Sequence, residues 1–161
     1  MPEGLTQIER IKFDAAQDRL YISGYGPAAL KPNGEWGLMG RMVMRIDGFT
    51  KGTPKVAWTN AALALDDENM PPKAMSWAGD YIFTAACKPT AGLRGQIYVY
   101  SVADGKLVGR ISAPTEIAQQ TGWVDLSQGI LARNLPDGRY VICQEDNFHP
   151  KVVLHFWNPK G

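Results

Sequence analysis

Between Lys73 and Ile111 the chain contains four runs of β-branched and aromatic residues, each of strand length and each bounded by turn formers. Lys-Ala-Met-Ser-Trp-Ala-Gly-Asp-Tyr-Ile-Phe-Thr-Ala-Ala-Cys is followed by a loop and then by Gly-Gln-Ile-Tyr-Val-Tyr-Ser-Val-Ala-Asp-Gly-Lys-Leu-Val-Gly-Arg-Ile. Val, Ile, Tyr, Phe and Thr favour the half-buried pleated surface of a sheet, and Ala-Gly-Asp at 78–80 and Ala-Asp-Gly at 103–105 favour tight reversals. A looser Lys-Pro-Thr-Ala-Gly separates the two halves. An all-β fold built from four-stranded antiparallel meanders of about 40 residues is the expectation.

The same order recurs on both sides. Ile8 to Asp14 reads as a strand, Ala-Ala-Gln-Asp as a turn, and Arg-Leu-Tyr-Ile-Ser-Gly-Tyr as a second strand. A loop from Gly26 to Gly40 leads to strands at Arg41 to Asp47 and Lys55 to Thr59. Near the C-terminus, Gly-Ile-Leu-Ala-Arg-Asn-Leu turns at Pro-Asp-Gly into Arg-Tyr-Val-Ile-Cys-Gln and then Lys-Val-Val-Leu-His-Phe-Trp. Asp137-Gly138 is a strong hairpin signal. Three units are therefore expected within one domain spanning 1–161, at about 6–59, 73–111 and 129–161, joined by connectors 60–72 and 112–128. One helical turn is expected at Ala61 to Asp66, and a short helix capped by Thr115 in the second connector. The third unit ends at Asn-Pro-Lys-Gly without a fourth strand.

Arg-Leu-Tyr-Ile-Ser, Asp-Tyr-Ile-Phe-Thr and Arg-Tyr-Val-Ile-Cys, together with Ile-Tyr-Val-Tyr-Ser-Val-Ala-Asp-Gly-Lys-Leu-Val-Gly, resemble blades of the NHL, YVTN and quinoprotein-like β-propeller group. The Gly-His and Trp-Asp pairs of Trp-Asp repeats and the Gly-Gly pair of kelch repeats are missing. The resemblance implies meanders arranged as part of a β-propeller, here about three blades. A closed ring has more blades than three, so it also implies self-association or the remainder of a larger propeller. It carries no catalytic residue onto this sequence.

A formal charge of +1, from mixed Lys/Arg and Asp/Glu, supplies no basic stripe for a phosphate backbone, and nucleic acid is not an expected partner. No apolar run approaches the roughly 20 residues that cross a bilayer, and Met-Pro-Glu-Gly-Leu-Thr-Gln has no basic segment leading into an apolar one. No membrane partner and no signal peptide are expected in the chain as given, which reads as soluble with its compartment unassigned. Cys87 and Cys143 have no ligand-spaced neighbours and read as buried free thiols.

In a meander, alternate connections emerge at the same end. The long ones, 26–40, 60–72, 88–94, 112–128 and 145–150, are expected to share one face, where binding residues concentrate. Glu145-Asp146-Asn147-Phe148-His149 is its densest polar cluster. With Asp125 its carboxylates suit a Ca²⁺ ion, or an acid/base pair with His149; the same residues also suit a solvated turn. Tyr25, Trp36 and Trp123 offer aromatic faces for sugar rings or, turned inward, cover for the core. Asp66-Asp67-Glu68-Asn69 reads as a solvated connector, and Trp58, Trp77, Trp157 and His155 as packing residues. The candidate ligand-binding set is thus Tyr25, Trp36, Trp123, Asp125, Glu145, Asp146, Asn147 and His149, with catalytic and metal-binding residues unassigned. A small polar ligand or sugar is the leading partner. A metal-assisted lyase or hydrolase acting on a saccharide or lactone through Asp125, Glu145, Asp146 and His149 is the second reading, and a protein-interaction scaffold the third. Walker loops, Gly-x-Ser-x-Gly elbows and His-Glu-x-x-His helices are absent.

Overall fold

A computed structural model describes residues 5–26, 38–64, 72–86, 93–112 and 124–161. Every regular element among them is a β-strand. By its internal contacts the chain divides into two compact units, Met1–Pro72 and Lys73–Gly161.

The first unit is a four-stranded antiparallel meander of β1 (Gln7–Asp14), β2 (Arg19–Tyr25), β3 (Leu38–Asp47) and β4 (Lys55–Ala64). Alternation sets its register: Leu20 faces Ile46 and Ile22 faces Met44, so with Leu5 and Met42 they form one buried apolar cluster. Asp18 ends the β1–β2 turn at φ 50, a left-handed conformation that Asp tolerates by bonding locally. Its carboxylate accepts the Thr50 amide and hydroxyl and the Lys51 amide at 2.8 to 2.9 Å, tying this turn to the β3–β4 turn. The helical turn expected from Ala61 is corrected: β4 pairs with β3 through Ala64, because cross-strand pairing there overrides alanine's helical preference. The residues beyond it, Asp66 to Asn69 among them, lie outside the described set.

The second unit contains a four-stranded sheet of β5 (Pro72–Ala78), β6 (Tyr81–Ala86), β8 (Gln96–Ser101) and β9 (Leu107–Ile111), in that order. A three-stranded antiparallel sheet follows, β11 (Gly129–Asn134), β12 (Tyr140–Glu145) and β13 (Val152–Trp157). The expected tight turns are present, with Gly79, Gly105 and Gly138 at positive φ. Ala78, Phe83, Ile97 and Val99 of the first sheet pack on Ala132, Tyr140 and Ile142 of the second. Tyr81, Phe83, Tyr140 and Trp157 meet there with ring centroids 4.8 to 5.8 Å apart, several of them edge to face. The Ala132 amide, which points away from β12, donates to the buried Ser76 hydroxyl of β5 at 3.1 Å.

Two short strands have no counterpart in the sequence reading. β7 (Leu93–Arg94) and β10 (Val124–Asp125) pair in parallel, so residues assigned to a loop and a connector form a backbone ladder. The helix expected after Thr115, and Cys87, lie outside the described residues. Cys143 is a free thiol, half-buried rather than buried.

Candidate functional site

The β7–β10 ladder brings the segment after Val124 against the β12–β13 loop. Asp125 and Asp146, 21 residues apart, are both buried, and their bonds define the site's frame. Asp146 Oδ1 accepts the amides of Asp125 at 3.2 Å and Phe148 at 3.1 Å. Asp146 Oδ2 accepts His149 Nδ1–H at 2.6 Å, and the Asn147 amide donates to the Asp125 carbonyl at 2.9 Å. Asp125 Oδ1 in turn accepts the Ser127 amide and hydroxyl at 3.0 and 2.5 Å. Both carboxylates therefore hold the loop in shape, which is the turn-forming role open to Asp in such segments.

Behind this frame lies Gln144, fully buried on the inner face of β12. Its Nε2 donates to the carbonyls of Gly95 at 2.8 Å and Leu126 at 3.0 Å, while its Oε1 faces His155 Nε2 at 2.8 Å. With both amide hydrogens of Gln144 committed, Oε1 must accept, which fixes His155 as the Nε2–H tautomer. Burial lowers the His155 pKa and keeps that ring neutral. His155 is thus a packing residue with a satisfied polar tip.

In front of the frame two clefts meet at Glu145. One, of about 170 Å³, is lined by Gln128, Gly129, Glu145, Asp146 and Asn147. The other, of about 260 Å³, is lined by Gly129, Ile130, Leu131, Cys143 and Glu145. Gly129 stands opposite Glu145 across β11–β12, and a Cβ there would come within 3.3 Å of Glu145 Cβ, so the missing side chain leaves room for the carboxylate. Glu145 and Asn147 are exposed, and Phe148, 57% exposed, presents its ring from the same loop.

Of the expected site residues, Asp125, Glu145, Asp146, Asn147 and His149 come together in the second unit. Tyr25 is a half-buried residue at the end of β2 in the first unit, its carbonyl accepting the Thr6 amide. Trp36 and Trp123 lie outside the described residues. Gln128, Gly129 and Phe148 were missed; Phe148, an aromatic inside the polar cluster, carried the only readable signal. Among the described residues no group of three or more His, Cys, Asp or Glu side chains is gathered to hold a metal ion. No helix among them is long and apolar enough to cross a membrane. No protein-family model, curated protein or solved structure matches the chain.

The Asp146 frame makes a pH prediction. Burial raises the Asp146 pKa, but the Phe148 amide, the His149 ring and the Asp125 amide outweigh it, and the net shift is downward. A carboxyl whose folded pKa is lowered adds stability above its unfolded pKa of about 3.9, and that stability is lost as pH falls through the folded pKa. Asp146→Asn is expected to reduce the unfolding free energy at pH 7 by about 1 to 3 kcal/mol. The gap from wild type should close as urea titrations move from pH 5 towards pH 2. A gap that stayed constant over that range would show that the charge of Asp146 contributes nothing.

Proposed function

We propose that the chain is part of a β-propeller whose loop face binds a small polar ligand, with a carbohydrate as the class that fits best. The propeller reading is supported by the repeated meander order, strand–tight turn–strand–long connection–strand, in both units. The binding reading rests on one observation: a polar cleft and a more apolar one share Glu145 as their common wall. A sugar ring has hydroxyls at its rim and apolar C–H faces. Glu145, Asn147 and Gln128 match the rim, and Ile130, Leu131 and the exposed Phe148 ring match the faces.

Titration of isotope-labelled protein with a panel of neutral mono- and oligosaccharides tests this reading. Binding should shift the amides of residues 128–131 and 145–149. Glu145→Ala and Phe148→Ala should each weaken it at least about tenfold, the loss expected from about 1.4 kcal/mol, with unfolding free energy little changed at these exposed positions. Shifts confined to other residues, or no shifts at millimolar sugar, would sink it. The acid/base alternative retains the His149–Asp146 pair, an imidazole oriented by a carboxylate that lines the polar cleft, but nothing among the described residues supports its metal.

A further inference from the structure

Glu145 lines both clefts, and the strands beside it fix its place there. It is registered against Gly129 across β11 and β12, and its Oε2 lies 3.4 Å from where a Cβ on Gly129 would stand. Glycine thus lets the carboxylate rest at the junction of the polar cleft and the more apolar one. On its other side Glu145 is registered against Val152 of β13, whose side chain offers neither charge nor hydrogen bond.

The two carboxylates of the polar cleft differ in what they have left to offer. Asp146 has Oδ1 on the amides of Asp125 and Phe148 and Oδ2 on the His149 ring, so its charge is met within the protein. Glu145 has no ion-pair partner among the described residues. No Lys or Arg among them lines either cleft. Arg133 shares the outer face of β11 but stands four residues beyond Gly129, roughly 13 Å along the strand. The exposed Lys151, next to Val152, makes no ion pair with Glu145. The Glu145 charge is therefore open to a ligand. The remaining polar walls are the amides of Gln128 and Asn147, each with one carbonyl acceptor.

We propose that the sugar taken by this site is an amino sugar, with its ammonium group seated on Glu145 where the two clefts meet; this rests on the sugar-binding reading and specifies it. An ammonium is a pure donor with three N–H groups. Here it meets three acceptors, the Glu145 carboxylate and the side-chain carbonyls of Gln128 and Asn147. The C–H face of the same ring is left for Ile130 and Leu131. A neutral sugar can reach the same acceptors through its hydroxyls, but it takes water from the Glu145 carboxylate and returns no opposite charge, which costs binding energy. A bond between an ionised donor and acceptor is also about twice as strong as a neutral one. Preference for the cationic ring follows, and Glu145 is the residue that sets it.

Titration of the isotope-labelled protein with glucosamine, glucose and N-acetylglucosamine at pH 6 tests the charge. The first is a cation; the other two are neutral, and the third keeps the nitrogen. Glucosamine should bind at least about tenfold more tightly than either, shifting the amides of residues 128–131 and 145–149. Raising NaCl from about 0.05 to about 0.5 M should shrink that preference, because salt screens an accessible ion pair. Glu145→Gln keeps a carbonyl oxygen and removes the charge, so the ratio of glucosamine to glucose affinity should fall to about one. Gln128→Lys keeps Glu145 but supplies a counter-ion from within the cleft, and should lower the ratio independently should the first variant fail to fold. Glucose binding at those residues as tightly as glucosamine would overturn the amino-sugar inference while leaving the cleft a site for neutral sugars. A glucosamine preference that survives Glu145→Gln would overturn the role given to Glu145. Silence of those amides towards all three sugars at millimolar concentration would instead sink the sugar-binding reading, and this inference with it.

Discussion

Gln144→Ala is expected to lower the unfolding free energy of the second unit by about 3 to 5 kcal/mol, among the larger effects available to a single substitution here. The side chain is fully buried and satisfies three partners at once: the Gly95 carbonyl, the Leu126 carbonyl and the His155 ring N–H. Truncation leaves each of those without its partner, at about 1 to 3 kcal/mol for a buried polar group, and opens a void besides. Partial relaxation brings the sum below the simple total. Domains of this size have only about 5 to 15 kcal/mol to lose, so the variant should unfold at markedly lower urea. The companion His155→Leu removes one of the three bonds but also a buried polar ring, and should cost less. A loss below about 1 kcal/mol for Gln144→Ala would mean that water replaces the amide and that Gln144 does not hold the β7–β10 segment in place.

Gln144 also shows where the sequence was legible and where it was not. The strands of the second unit could be read because apolar alternation and tight-turn residues agree with one another over Tyr81 to Ile111 and Gly129 to Trp157. Within Arg-Tyr-Val-Ile-Cys-Gln, the inward positions are 140, 142 and 144, so a glutamine in step with Tyr140 and Ile142 was a visible anomaly. Its partners were not visible, because a carbonyl 49 residues earlier and another 18 residues earlier leave no side-chain pattern. The parallel β7–β10 pair escaped for the same reason. Two residues on each side supply too short a run for any periodicity, and the pairing is decided by backbone groups. The polar cluster at 145–149 was found from residue type alone, but its internal division was not. Asp146 and Asp125 face inward and shape the loop, while Glu145 and Asn147 face solvent, and only burial separates four such similar side chains. The extension of β4 through Ala64 was hidden by a sequence whose alanines favour helix locally and a strand only in the company of β3.

Gly95→Ala is expected to act on the same locus from the backbone side, at about 2 to 6 kcal/mol. Gly95 has φ +113, outside the range an L-residue adopts without strain, worth about 1 to 3 kcal/mol. A methyl group there would also sit 2.6 Å from Leu126 Cβ and 2.7 Å from its carbonyl carbon, and Leu126 is fully buried with no space to retreat, adding about 1 to 3 kcal/mol. Gly138→Ala separates the two contributions. Its φ of +84 is also positive, but nothing lies within 4 Å of its added Cβ, so it should show conformational strain alone. Because Gly95 and Leu126 share Gln144 as a common donor, pushing them apart breaks the bridge that Gln144→Ala removes. The double variant should therefore lose less than the sum of the singles, with a coupling of about 1 kcal/mol or more in urea titrations. Strict additivity would show that the two substitutions damage separate structures. Coupling, accompanied by weakened sugar binding in a Gly95→Ala protein whose cleft residues are all unchanged, would trace the shape of the loop at 145–149 to the packing of Gly95 against Leu126.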